Sequence, residues 1–173
     1  MSNNSKQSFS EMPASPGGFS GNIMPHSVEA EEALLGGILV DNEVYNRIIY
    51  DIPLKVSHFY LPLHARIFEG IKKLINQGQI ADPITLKQYL ERDVDLLEIN
   101  DPNYLLKLSE ATETLSGSDH YAKMIYDLSL RRDLIRLGQE IITQASNPDI
   151  DDTSMSQIEI AESNLFSLAE SGE

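Results

Sequence analysis

Ser118 to Ser146 reads SDHYAKMIYDLSLRRDLIRLGQEIITQAS, a long run without a proline and with apolar residues at helical spacing. The run predicts one α-helix, long for a small globular domain. It carries two apolar stripes rather than one. Tyr121, Ile125, Leu128, Ile135 and Ile142 form the first, and Leu130, Leu134, Leu137, Ile141 and Ala145 the second. Asn147-Pro148-Asp149 breaks the helix. A second helix then starts at Thr153 or Ser154 and aligns Met155, Ile158, Ala161, Leu165 and Leu168. Two helices joined by a short acidic turn make an αα-hairpin. A hairpin alone cannot hide two stripes, so it is expected to pack on the preceding bundle near Tyr121 and on another copy toward Ile141.

Upstream, the pattern is also helical. In Met24–Asp41, MPHSVEAEEALLGGILVD, Ser27 reads as an N-cap, and Glu29, Glu31 and Glu32 stand where the helix dipole favours acids. Ala30, Leu34, Leu35, Ile38 and Leu39 give that helix its stripe. Asp41 is expected to cap a second helix with Val44, Tyr45, Ile48 and Ile49. Pro62 opens a third carrying Ile67, Phe68, Ile71, Leu74 and Ile75, which Gly78 stops. Thr85 to Gln88 suggests a capping box for a fourth, with Leu86, Tyr89 and Leu90. Asp101-Pro102 starts a fifth, with Tyr104, Leu105 and Leu108. Only Ile52–Phe59 is ambiguous between strand and helix. The expected class is all-α, a small globular helical head over residues 25–115 followed by a long antiparallel hairpin over 116–170. Residues 1–24 are rich in Ser, Asn, Gly and Pro and read as a disordered tail.

The 173 residues include no cysteine and no tryptophan, which excludes disulfides, thiolate nucleophiles and cysteine metal sites. The N-terminus lacks a secretory h-region, and no apolar run suits a bilayer span. A cytoplasmic protein without membrane contact is expected. The formal net charge is −14, and the seven acids of residues 149–173 stand there without a base. Such a surface repels phosphate, so little or no direct nucleic-acid binding is expected.

Chemistry is hard to find. No G-x-x-x-x-G-K-[ST] loop is present to cradle a nucleotide. Gly36-Gly37 falls inside a helix and reads as a close-packing face. His26, His58, His64 and His120 show no ligand spacing and read as structural or surface residues. Ser116-Gly117-Ser118 lacks a strand before it and so is no nucleophile elbow. Arg131, Arg132 and Arg136 form the one basic cluster. Among Asp127, Asp133 and Glu140, it reads most simply as a solvated face with intrahelical ion pairs, and next as a protein-contact patch. From the residues alone, the chain is an acidic, all-α assembly module without catalytic, cofactor or metal residues. A small ligand-binding protein and a general acidic adaptor remain alternatives.

Four colinear segments resemble one family. PHSVEAEEALLGGILVDNEVY, from Pro25, is similar to the opening of the N-terminal domain of bacterial replicative DNA helicases, the DnaB family. FYLPLHARIFEGIKKLINQGQIADPITLKQYLE, from Phe59, YAKMIYDLSLRRDLIRLGQEI, from Tyr121, and AESNLFSLAE, from Ala161, follow in that family's order. Asp101-Pro102, with an acidic lead-in, departs from the Gly-Gly that relatives often carry there. A primase's helicase-binding domain has a related fold and is a further alternative. The resemblance implies a non-catalytic domain for oligomerisation and primase docking at the replication fork. Its hairpins would pair between subunits into dimers, or into a hexamer built as a trimer of dimers. Ile135, Leu137, Ile141, Ile142, Ile158, Leu165 and Phe166 would then form the hairpin seam and subunit interface. The primase C-terminal domain is the implied partner, with Tyr104, Arg131 and Arg132 as candidate contacts. ATP and magnesium would belong to a C-terminal ATPase motor, with residues 171–173 starting the linker to it, so the chain reads as a fragment of a longer protein.

Overall fold

The computed structural model describes residues 23–91, 103–111 and 117–171. These hold seven α-helices and one 3₁₀ turn, and no strand is found among the described residues. The helices are α1 (Val28–Val40), α2 (Glu43–Asp51), α3 (Pro62–Asn76), α4 (Pro83–Leu90), α5 (Tyr104–Glu110), α6 (Ser118–Ser146) and α7 (Ser154–Ser171). The 3₁₀ turn, Val56–His58, resolves the ambiguous Ile52–Phe59 stretch against a strand.

The caps explain where several helices begin. Ser27 Oγ accepts from the amide of Ala30 at 3.1 Å, as its position in the sequence suggests. Asp41 Oδ1 takes the Glu43 amide at 3.0 Å, while Asn42 stands at the N-cap position. The Asn42 side chain instead reaches the backbone of Ala81 in both directions, at 2.8 and 2.9 Å, tying the end of α1 to the α3–α4 loop. For α4 the expected cap is corrected. Asp82, not Thr85, is the N-cap, and Thr85 is the N3 residue that returns a bond to the Asp82 amide. The box begins three residues earlier because Pro83, which needs no amide partner, fits the first turn. Gly78 has φ +71°, the left-handed conformation that lets α3 stop. The start of α5 expected at Asp101-Pro102 lies outside the described residues.

The head core is continuous. Leu34, Leu35, Ile38, Val44, Ile48, Ile67, Phe68, Ile71 and Leu86 are fully or almost fully buried in it, joined by Ala122 and Ile125 of α6. Phe68 is its aromatic centre, 4.8 Å from Phe59 and 5.8 Å from Tyr45 between ring centroids. Burying one such side chain contributes roughly 1.5–3 kcal/mol. Gly36 and Gly37 are buried too, on the helix that packs against α5 and α6. Ile49, placed on the α2 stripe, is exposed.

The long helix holds the span expected of it, and its two halves do different work. Its N-terminal half packs into the head through Ala122 and Ile125, with Tyr121, Met124 and Tyr126 against the core. From Gln139 onward every residue of α6 is exposed. Helix α7 folds back on α6 as an αα-hairpin. Thr153 caps α7: its Oγ1 accepts from the Ser156 amide, and Ser156 Oγ accepts from the Thr153 amide.

Candidate functional site

Two features stand out above the ordinary core: an apolar hairpin surface and a buried polar cluster where the hairpin leaves the head.

The hairpin keeps apolar side chains in solvent. On α6, Leu134, Ile141 and Ile142 are exposed; on α7, so are Met155, Ile158, Ile160, Leu165 and Phe166, the last at 64%. Of the residues assigned to the seam, Leu137 is buried within the chain and Ile135 is half-buried, whereas Ile141, Ile142, Ile158, Leu165 and Phe166 are open. Two helices give each other one covered line, and the remaining stripe residues have no third element to cover them. Exposed apolar side chains gathered on one hairpin make it a candidate interaction surface.

The polar cluster was not legible in the sequence as such. Glu31 reads there as a dipole acid of α1, yet it is 2% exposed. Its carboxylate accepts from the amides of Tyr60 at 2.6 Å and Leu61 at 3.4 Å, at the entrance to α3. It also lies 2.7 Å from Nδ1 of the fully buried His64. On the far side of the ring, Nε2 lies 2.7 Å from the Tyr104 hydroxyl, which is 3.2 Å from Glu32 Oε1. Burial pushes the Tyr104 hydroxyl well above its ordinary pKa and Glu32 adds to this, so it remains a donor.

Arg132 requires the larger correction. It is not part of a solvated face, being 4% exposed. Its Nη1 donates to the Pro25 carbonyl at 2.9 Å and its Nη2 to the His58 carbonyl at 2.6 Å. The guanidinium also lies over the Tyr60 ring, 5.8 Å from its centroid, and Tyr60 stacks on His26 at 3.9 Å. Burial pulls the Arg132 pKa down, and nearby Glu31 works against that pull. Its neighbours behave as expected of a solvated face. Arg131 pairs with Asp127 at 2.7 Å and Arg136 with Asp133 at 2.6 Å, both exposed. The helical repeat turns Arg132 by about 100° from Arg131, enough to aim it at the head.

The candidate contacts are therefore separated. Arg131 is open and Arg132 is enclosed. Tyr104 is half-buried at a cleft of about 350 Å³ between α1 and α5, which Glu29, Glu32, Ala33 and Leu108 also line. Among the described residues, no group of three or more His, Asp or Glu side chains could hold a metal ion, and no helix is long and apolar enough to cross a membrane.

Known proteins share this fold. The family model described as the DnaB-like helicase N terminal domain matches residues 23–127. The replicative DNA helicase DnaB of Rickettsia typhi is 37% identical over 150 residues, covering 87% of this chain and 30% of that protein. The DnaB of Buchnera aphidicola is 33% identical over 147 residues, covering 85% and 31%. The chain thus spans about 30% of the length of such relatives. Among solved structures, the N-terminal domain of DnaB helicase from Mycobacterium tuberculosis superposes with a TM-score of 0.75. It is 23% identical and covers 83% of this chain and 98% of that one. A structure of a DnaB-like replicative helicase and its interactions with primase gives a TM-score of 0.66 at 23% identity, covering 84% and 32%. At that identity the structural likeness shows the fold, and the sequence relatives show the kinship. The chain belongs to the family of DnaB-like helicase N-terminal domains.

Proposed function

We propose that this chain is the oligomerisation and primase-docking part of a replicative DNA helicase and performs no catalysis itself. The observation that carries the reading is the hairpin, whose exposed Leu134, Ile141, Ile142, Ile158, Leu165 and Phe166 offer a second copy an apolar surface. Pairing hairpins would cover the stripe that two helices leave open, giving dimers and, in a longer protein, a hexamer built as a trimer of dimers. ATP hydrolysis and DNA unwinding would reside outside the 30% share of the relatives that this chain matches. The net charge of −14 agrees with a collar that leaves DNA to another part of the protein.

Primase docking finds support in the DnaB-like helicase solved with primase, whose fold this chain shares. The exposed Arg131 and the half-buried Tyr104 are the candidate contacts that remain accessible.

Light scattering at micromolar protein tests the assembly half. Dimers or larger species are expected, and Ile141→Asp should shift them toward monomer while circular dichroism stays helical. A wild-type chain that stays monomeric at high concentration would overturn it. Capture by the cognate primase C-terminal domain tests the docking half, and no capture at tens of micromolar would favour a general acidic adaptor.

A further inference from the structure

Helix α6 is long enough to act as a lever. It is tied to the head near its start by Arg47 and Asp119, 3.1 Å apart. Both partners are about half exposed, and such surface pairs contribute little. Roughly 20 Å further along the helix, Arg132 makes its two bonds to the head. Another 20 Å or so of α6 projects past Arg132 and carries the hairpin turn. The apolar packing of Ala122 and Ile125 holds the helix down but is non-directional. A planar guanidinium donating two bonds at once has a fixed geometry.

The two acceptors belong to different segments. The His58 carbonyl lies in the 3₁₀ turn, inside the head. The Pro25 carbonyl lies in the segment that precedes α1, beyond the Ser27 cap. That segment has its own hold on the head through the stack of His26 on Tyr60, and it is braced internally by His26 Nδ1, 2.6 Å from the Met24 carbonyl. The same Tyr60 ring underlies the guanidinium. Strap, head and hairpin therefore meet on one side chain.

We propose that Arg132 is the pin that fixes the direction in which the hairpin leaves the head, and that the Pro25–His26 strap is its releasable half. Displacing the strap removes one of two bonds and lets the lever swing, so the N-terminal segment controls the orientation of the assembly surface. The value of that control rests on the proposed role of the hairpin in assembly; the geometry of the pin does not. A tilt of about 10° at Arg132 would move the hairpin turn by about 4 Å.

The absence of cysteine allows two spin labels to be placed cleanly, at Lys72→Cys on α3 and Asp151→Cys in the hairpin turn, both exposed positions. Diluting labelled chain into excess unlabelled protein makes the measured distance intrachain whether or not the chains associate. Failure of the pin is thereby distinguished from failure of assembly. Arg132→Met should broaden the distance distribution by several ångströms while hydrogen exchange in α1 and α3 stays protected. Arg132→Lys, which keeps the charge without the fork, should broaden it less, and His26→Ala should loosen the strap and broaden it with Arg132 intact. A distribution unchanged in Arg132→Met and Arg132→Lys overturns the pin, and one unchanged in His26→Ala overturns the strap's part. Global unfolding of Arg132→Met with an unchanged distribution in Arg132→Lys also overturns it, making Arg132 a folding determinant only.

Discussion

The Glu31 carboxylate and the His64 imidazole meet at 2.7 Å in the interior of the head, one from α1 and the other from α3, both shielded from solvent. Around them lie the Tyr60 and Leu61 amides and the Tyr104 hydroxyl, so one acid organises the junction of three helices.

Glu31 should matter far more than the acid two residues before it. Glu31→Ala leaves two amides without their acceptor and a buried imidazole without its partner, and each buried group left unsatisfied costs about 1–3 kcal/mol. Glu29→Ala removes an exposed acid near the helix start and should cost less than about 1 kcal/mol. Urea unfolding of the two variants measures the difference, and equal small losses would return Glu31 to the role of a dipole acid.

Acid should weaken the 3₁₀ corner through His58. Burial pulls its pKa below the ordinary value, with Lys55 and Arg132 acting in the same direction and Asp133 opposing them. Its Nδ1 accepts from the Lys55 amide at 3.0 Å, a bond that only the unprotonated nitrogen can make. The folded state thus binds this proton less readily than the unfolded chain, whose histidine titrates near about 6.5. The contribution is complete above that pH and declines as the pH falls below it. In paired melts at pH 7.5 and 5.5, His58→Gln should lose less stability on acidification than the wild type.

The corrected cap of α4 gives a sharp contrast. Asp82 Oδ1 accepts from both the Ile84 and Thr85 amides, at 2.9 and 2.8 Å. Asp82→Ala should cost about 1–2 kcal/mol. Gln88, which would close a box starting at Thr85, is exposed, and Gln88→Ala should change stability by no more than about 0.5 kcal/mol. Denaturant midpoints decide between the two registers.

Two helical glycines should respond in opposite directions to alanine. A Cβ at Gly70 would come within 2.6 Å of Leu86 Cδ1 and 3.0 Å of the Tyr89 ring, where α3 meets α4. Such overpacking costs about 1–3 kcal/mol. At Gly138 a Cβ meets nothing within 4 Å. Gly138→Ala should therefore stabilise the dilute chain by up to about 1 kcal/mol through helix propensity. Thermal melts of the two single variants check both signs.

Much of this protein is fixed by local patterning. The span of α6, the Pro148 break, Pro62 and Gly78 at the two ends of α3 and the buried stripes of α1 and α3 follow from 3.6-residue periodicity and from the backbone limits of proline and glycine. The kinship was legible too, because four segments keep their order along the chain. The fates of individual polar residues were not. Glu31 and Glu29 are both acids in the first turn of one helix, yet the fold aims one at the amides of a distant corner and leaves the other in water. Arg131 and Arg132 are adjacent and identical, and only the packing of α6 against the head sends the second to carbonyls far away in sequence. Periodicity specifies which face of a helix is apolar. It does not specify which unpaired amide or carbonyl another segment will present there, because that depends on how the helices cross, and only the tertiary structure decides the crossing.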